Sequence, residues 1–206
     1  MQSQRQRSRL DLPEGYWQVY HLDINDTATM NRLQWIGAIG LIAALVLAGL
    51  WMIPARALWI GALIPLPDLF FWALVIAIIP AHEWVHGLAI RWAGQTPRYG
   101  AKFVDVGRLK LPYLFYATTD GAYFYRDAFN IIALAPLVVL SILLAALTLV
   151  SPLSAFPAIM GAFVINASGA VGDLWMAWAA SRHPADALVL DEADAIRIFS
   201  RSTPQT

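Results

Sequence analysis

Seven residues near the middle of the chain, Ala81-His82-Glu83-Trp84-Val85-His86-Gly87, carry the pattern HExxH. On a helix, residues four apart share a face, so His82 and His86 can turn two imidazoles toward one metal ion. Glu83 then stands beside that ion as a general base for water, the arrangement used by zinc-dependent hydrolases. The chain has only 4 His in 206 residues, and a chance match of this kind is expected roughly once in a thousand such chains. Two nitrogens leave a zinc site incomplete, because catalytic sites take three protein ligands and keep one position open. With no cysteine in the chain, the third must come from His, Asp or Glu.

Asp173 is the obvious supply. It stands in Asn166-Ala167-Ser168-Gly169-Ala170-Val171-Gly172-Asp173, within the last long apolar run. A charged Asp at mid-membrane costs roughly 2.5–3.5 kcal/mol on insertion scales, so it needs a partner there. Asn166, Gly169 and Asp173 are spaced three and four apart, hence on one helical face. Gly169 and Gly172 would allow close helix approach, although ordinary packing explains such small residues equally well. Pro80, two residues before His82, either kinks its helix and opens a water path or is simply a tolerated membrane proline. Haem is a poor fit, because His21 and His183 lie outside the apolar runs and two histidines on one helical face cannot bind opposite haem faces.

The elements that must hold these residues are membrane helices. Apolar types make up 59% of the chain and charged types 14%, against about 45–50% and about 25% in soluble domains. That excess rules out disorder. The balance of 14 basic and 14 acidic residues argues against a nucleic-acid partner. A bilayer core of about 30 Å takes roughly 20 helical residues, and four stretches suffice: 33–53, 69–92, 128–150 and 158–180. A shorter piece, 58–66, is cut by Pro65 and Pro67 and reads as interfacial or re-entrant. The first stretch is too long, and too far from the start, for a cleaved signal peptide, so it reads as a retained anchor.

Lys and Arg fix the orientation. Arg5, Arg7, Arg9 and Arg32 precede the first span, and Arg56 alone follows it. Six residues, Arg91, Arg98, Lys102, Arg108, Lys110 and Arg126, separate the second and third. None separates the third from the fourth, and Arg182, Arg197 and Arg201 end the chain. The alternation places both termini and the middle loop in the cytosol. The expected organisation is a cytosolic arm over 1–32, a membrane domain over 33–181 with a cytosolic loop at 93–127, and a cytosolic tail over 182–206. Trp35, Trp51, Trp59, Trp92 and Trp178 fall near span ends, as an interfacial belt would place them. Arg98–Val106 and Tyr113–Thr118, with Gly107 in the turn, have strand character, as do Tyr16–Ile24 and Ala187–Leu190. The fold class is therefore an α-helical integral membrane protein of four spans with a small cytosolic β element. The polar start and end of the chain are expected to be mobile.

HEWVHG in one membrane helix and an Asn…Gly-Asp pattern in a later one resemble the zincin-peptidase membrane family of bacteria and archaea. More distantly, they resemble the site-two-protease group of intramembrane metalloproteases. The resemblance runs from the first span onward and includes Leu134-Ala135-Pro136. It implies a prokaryotic cell membrane, Zn2+ held by His82, His86 and Asp173, Glu83 as catalytic base, and Asn166 near the active site. Leu174, not glycine, follows Asp173, and the Asn-Pro and Leu-Asp-Gly context of site-two proteases is missing. The expected activity is hydrolysis of peptide bonds in a membrane protein or peptide, within or near the bilayer. The cytosolic strands could bind an extended substrate along a sheet edge. Two alternatives are a non-catalytic membrane metal-binding or scaffold protein, and an intramembrane serine protease. The latter would use Ser168, since Asn166-Ala167-Ser168-Gly169 resembles a GxSG motif, with His82 or His86 as base.

Overall fold

The structure is a computed structural model, and it describes residues 7–23, 26–58, 68–106, 109–192 and 195–201. Helix α1 spans Thr27–Leu58. Its start is set by Asp26, whose Oδ2 accepts the backbone N–H of Thr29 at 2.9 Å, satisfying a donor that has no helical partner. Trp35, Ile39, Ile42, Leu50 and Ile53 stand exposed along it, an apolar surface far larger than a water-soluble monomer tolerates. Helix α2, Asp68–Trp92, continues through Pro80. It ends in a Schellman motif: Gly94 takes φ +90°, Gln95 N–H donates to Ile90 and Gly94 N–H to Arg91. Arg7 and Ser8 then cap the carbonyls of Trp92 and Ala93, each at 2.7 Å. Helix α3 is Arg126–Val150.

The fourth apolar run is not one helix. A 3-10 turn at Leu153–Ala155 leads into α4, Phe156–Gly169, and α5 covers Val171–Ser181. Between them Ala170 leaves helical geometry at φ −72°, ψ 2°, directly after Gly169, whose missing Cβ lowers the cost of interrupting a helix. The four candidate membrane spans are Thr27–Pro54, Phe70–Trp92, Arg126–Val150 and Leu153–Ser181. These helices mark an integral membrane protein. The piece read as interfacial lies, past Leu58, outside the described residues, as does Gly107.

The strands are β1 (Ser8–Arg9), β2 (Trp17–Asp23), β3 (Arg98–Val106), β4 (Leu109–Thr118), β5 (Tyr123–Tyr125), β6 (Leu188–Asp191) and β7 (Ala195–Ser200). β3 and β4 form an antiparallel hairpin, with Arg98 opposite Thr118. The others build one antiparallel sheet in the order β1-β5-β6-β7-β2. The start of the chain, expected to be mobile, is partly ordered, because Ser8 pairs with Phe124 and Arg9 with Tyr123. Residues 1–6 and 202–206 lie outside the described residues.

Two compact units divide the chain. One comprises Met1–Asn31, Glu83–Ala135 and Asp173–Thr206. Its core packs Leu22, Phe124, Val189, Ile196 and Ile198 of the sheet against Ile90, Phe129 and Ile132 of α2 and α3; full burial of each such side chain stabilises by about 1.5–3 kcal/mol. Arg7 stacks on Trp92 and Arg182 on Trp178, 4.0 and 3.8 Å from the ring centres, pairing cation and aromatic where two spans end. The other unit comprises Arg32–His82 and Pro136–Gly172. There Trp51 donates to Thr148 at 3.0 Å, and Gly161 lets α4 lie against Val75 and Phe71 of α2.

The five-stranded sheet draws β1 and β2 from before α1, β5 from between α2 and α3, and β6 and β7 from after α5. A hydrogen-bonded open sheet cannot pass through hydrocarbon. All three chain segments therefore lie on one side of any membrane that the helices cross.

Candidate metal centre

The HExxH half of α2 has a clear burial period. His82, Val85, His86, Ala89 and Ile90 are buried, whereas Trp84 and Leu88 are exposed. Both imidazoles therefore lie on the protein-facing side, and Glu83 is half-buried at its margin.

Each imidazole is held by its Nδ1. His86 Nδ1 is 2.9 Å from the carbonyl oxygen of Ile132. A carbonyl only accepts, so His86 Nδ1–H donates, and in the neutral ring Nε2 carries the lone pair. That Nε2 lies 3.5 Å from Asp173 Oδ2. His82 Nδ1 lies 2.9 Å from Asn166 Oδ1. The Asn166 amide nitrogen points at the Pro136 carbonyl, 3.5 Å away, which makes Oδ1 the acceptor and His82 Nδ1–H the donor. Both rings are thus tied at Nδ1, which leaves Nε2 as the atom each could offer a metal. Histidines that bind metals are held in this way, by a second hydrogen bond to a carbonyl or carboxylate.

His82, His86 and Asp173 each offer one ligand atom, and the three atoms lie within 4.8 Å of one another. Donors of a tetrahedral zinc site are about 3.4 Å apart, from bonds of about 2.1 Å. Two neutral imidazoles and one carboxylate are a zinc-compatible set that leaves a position open. Asp173 sits in the first turn of α5, where the exposed N–H groups of a helix start favour a carboxylate anion. The break at Ala170 creates that start.

The other candidates, and several further acids, are placed elsewhere. Asn166 is buried behind His82 rather than on its Nε2 side, and Ser168 donates its hydroxyl to the Ile165 carbonyl at 3.2 Å within its own helix. Asp120 pairs with Arg98, Asp127 with Arg126, and Glu192 with Arg197. His21 lies on β2 opposite Arg197. Burial pushes His183, beyond α5, below its ordinary 6.5. Among the described residues, His82, His86 and Asp173 are the one such group of three. The Ile132 carbonyl is a partner that side-chain types did not reveal, since a backbone acceptor has no residue signature of its own.

Gly87, the residue after the second histidine, serves a different contact. A Cβ there would overlap the Tyr99 hydroxyl, so glycine lets β3 of the hairpin lie on α2.

A protein-family model described as "Putative zincin peptidase" matches residues 75–188, 114 of the 206 residues. The matched stretch contains the HExxH half of α2, the hairpin, α3, α4 and α5. No curated protein and no solved structure matches the chain.

Proposed function

This chain belongs to the zincin peptidase family, and from that membership we propose that it is a zinc-dependent membrane metalloprotease that hydrolyses peptide bonds within or near the bilayer. One observation carries the reading: both HExxH imidazoles are tied at Nδ1, leaving their Nε2 atoms available to a metal, and both residues group with the Asp173 carboxylate. A zinc ion bound there supplies Lewis acidity that polarises a scissile carbonyl and makes water acidic enough to react near neutral pH.

The chain's own residues do the remainder. His82, His86 and Asp173 hold the metal. Glu83, half-buried on the same turn of helix, takes a proton from the attacking water and passes it to the leaving amine. Asn166 is a positioning residue, fixing the His82 ring through Nδ1. The buried setting strengthens these charge interactions relative to water. Substrates are peptides or membrane-protein segments, and the enzyme works from a cell membrane with both termini cytosolic. Ser168 is not the nucleophile in this scheme: its hydroxyl is committed to Ile165, and the His82 Nδ1 to Asn166.

The test pairs metal analysis with hydrolysis in detergent-solubilised protein. Wild type should hold one zinc per chain and cleave membrane-peptide substrates, with cleavage abolished by a chelator. Glu83→Gln should keep the zinc and lose at least a hundredfold in rate, the lower end of what general-base catalysis contributes. Full turnover by Glu83→Gln would overturn the mechanism. Zinc binding with no hydrolysis by wild type would leave a metal-binding scaffold as the function.

A further inference from the structure

The geometry points to Pro136 as a positioning residue of the metal centre, acting by withholding a backbone N–H; the inference rests on the metal-site reading above. In an α-helix the carbonyl of residue i accepts the N–H of residue i+4. In α3 the partner due to Ile132 is therefore Pro136, which has no N–H. The Ile132 carbonyl is consequently left without its helical donor, and it is this carbonyl that accepts His86 Nδ1–H at 2.9 Å. Membrane helices tolerate proline because neighbours re-satisfy the freed carbonyl. Here the neighbour is a metal ligand.

The same residue serves the second histidine. The Pro136 carbonyl faces the Asn166 amide nitrogen at 3.5 Å, and Asn166 Oδ1 takes His82 Nδ1–H. One interrupted turn of α3 thus offers a carbonyl directly to His86 and, through Asn166, orients His82. Pro136 and Asn166 are both fully buried, and Ile132 is nearly so, so water does not compete for these groups. An alanine at 136 would return an N–H to the Ile132 carbonyl and set the helix in competition with His86. The side-chain tautomer that exposes Nε2 would lose its lock.

Two substitutions separate this from loss of the proline ring. Pro136→Ala restores the N–H. Replacement of Pro136 by lactic acid, installed as a backbone ester, removes the ring but supplies no N–H. Zinc affinity is read by competition with a chelator, and the His86 tautomer by 15N NMR of metal-free, histidine-labelled protein. Pro136→Ala should weaken zinc binding tenfold to a hundredfold, the usual effect of losing a ligand's second hydrogen bond. It should also reduce the population protonated at Nδ1. The ester variant should match wild type on both readouts.

Wild-type affinity and tautomer in Pro136→Ala would overturn the inference, as would an ester variant impaired as severely as the alanine one. If wild type itself binds no zinc, the metal-site reading fails, and the tautomer measurement alone decides the role of Pro136.

Discussion

Asp173 and Asn166 serve the two histidines from opposite sides of their rings, and their removal should differ in kind. Asp173 faces His86 Nε2, so Asp173→Ala deletes a proposed ligand. Structural zinc sites bind with about 10–16 kcal/mol, and a third of that is on the order of a thousandfold in affinity. Asn166→Ala leaves all ligand atoms in place but strips His82 Nδ1–H of its acceptor. It should cost about 1–3 kcal/mol of stability and weaken zinc tenfold to a hundredfold. Chelator competition and thermal melts distinguish the two, and unchanged zinc affinity in Asp173→Ala would remove it from the site. HExxH was legible because spacing alone puts its histidines on one helical face, and Asp173 because an acid within an apolar span demands a reason. The acceptors behind the rings were less accessible. A carbonyl at Ile132 is written into the sequence only indirectly, by the proline four residues later.

At the scale of elements, the contact between α2 and β3 depends on Gly87. In open space, glycine to alanine in a helix interior stabilises by about 1 kcal/mol. Here the new Cβ meets the Tyr99 hydroxyl and ring, and Tyr99 is half-exposed, so the ring must leave the helix face. Gly87→Ala should therefore lower the melting temperature in the native background and raise it in Tyr99→Ser. A double-mutant cycle checks that reversal of sign; equal shifts in both backgrounds would show that the contact has no energetic weight. The spans were readable because length and apolarity suffice to find them. The break at Ala170 was hidden by continuous apolar character on both sides of it. β1 and β5, with two and three residues, are too short for alternation to register. β7 has its inward Ile196 and Ile198 but borders the polar tail, and only its partners on both sides identify it.

At the scale of the whole molecule, the sheet ties the strands before α1 and after α5 to the segment between α2 and α3, and from the Lys and Arg count we propose that this side is cytosolic. Reporter fusions at Asp120 and Arg201 should read cytosolic, and one at Ser151 should read extracytoplasmic. A cytosolic signal at Ser151 would contradict the alternation of the spans. Charge suggests this topology from the sequence because insertion responds to Lys and Arg near span ends. It could not reveal that the same segments would join in one sheet, since pairing between Trp17 and Ser200 leaves no local trace.

That pairing also orders events in time. β2 is made before α1, and its sheet neighbour, β7, only after α5. At about 5–20 residues per second, β2 waits on the order of ten seconds or more until the ribosome reaches β7. Asp173, on the last span, is likewise missing from every shorter nascent chain. A chain interrupted before α5 therefore carries HExxH without Asp173 and without the β6 and β7 strands of the sheet. In the proposed mechanism a nascent chain that has not reached α5 lacks its third metal ligand, so it would not cut peptides while the earlier helices are being inserted.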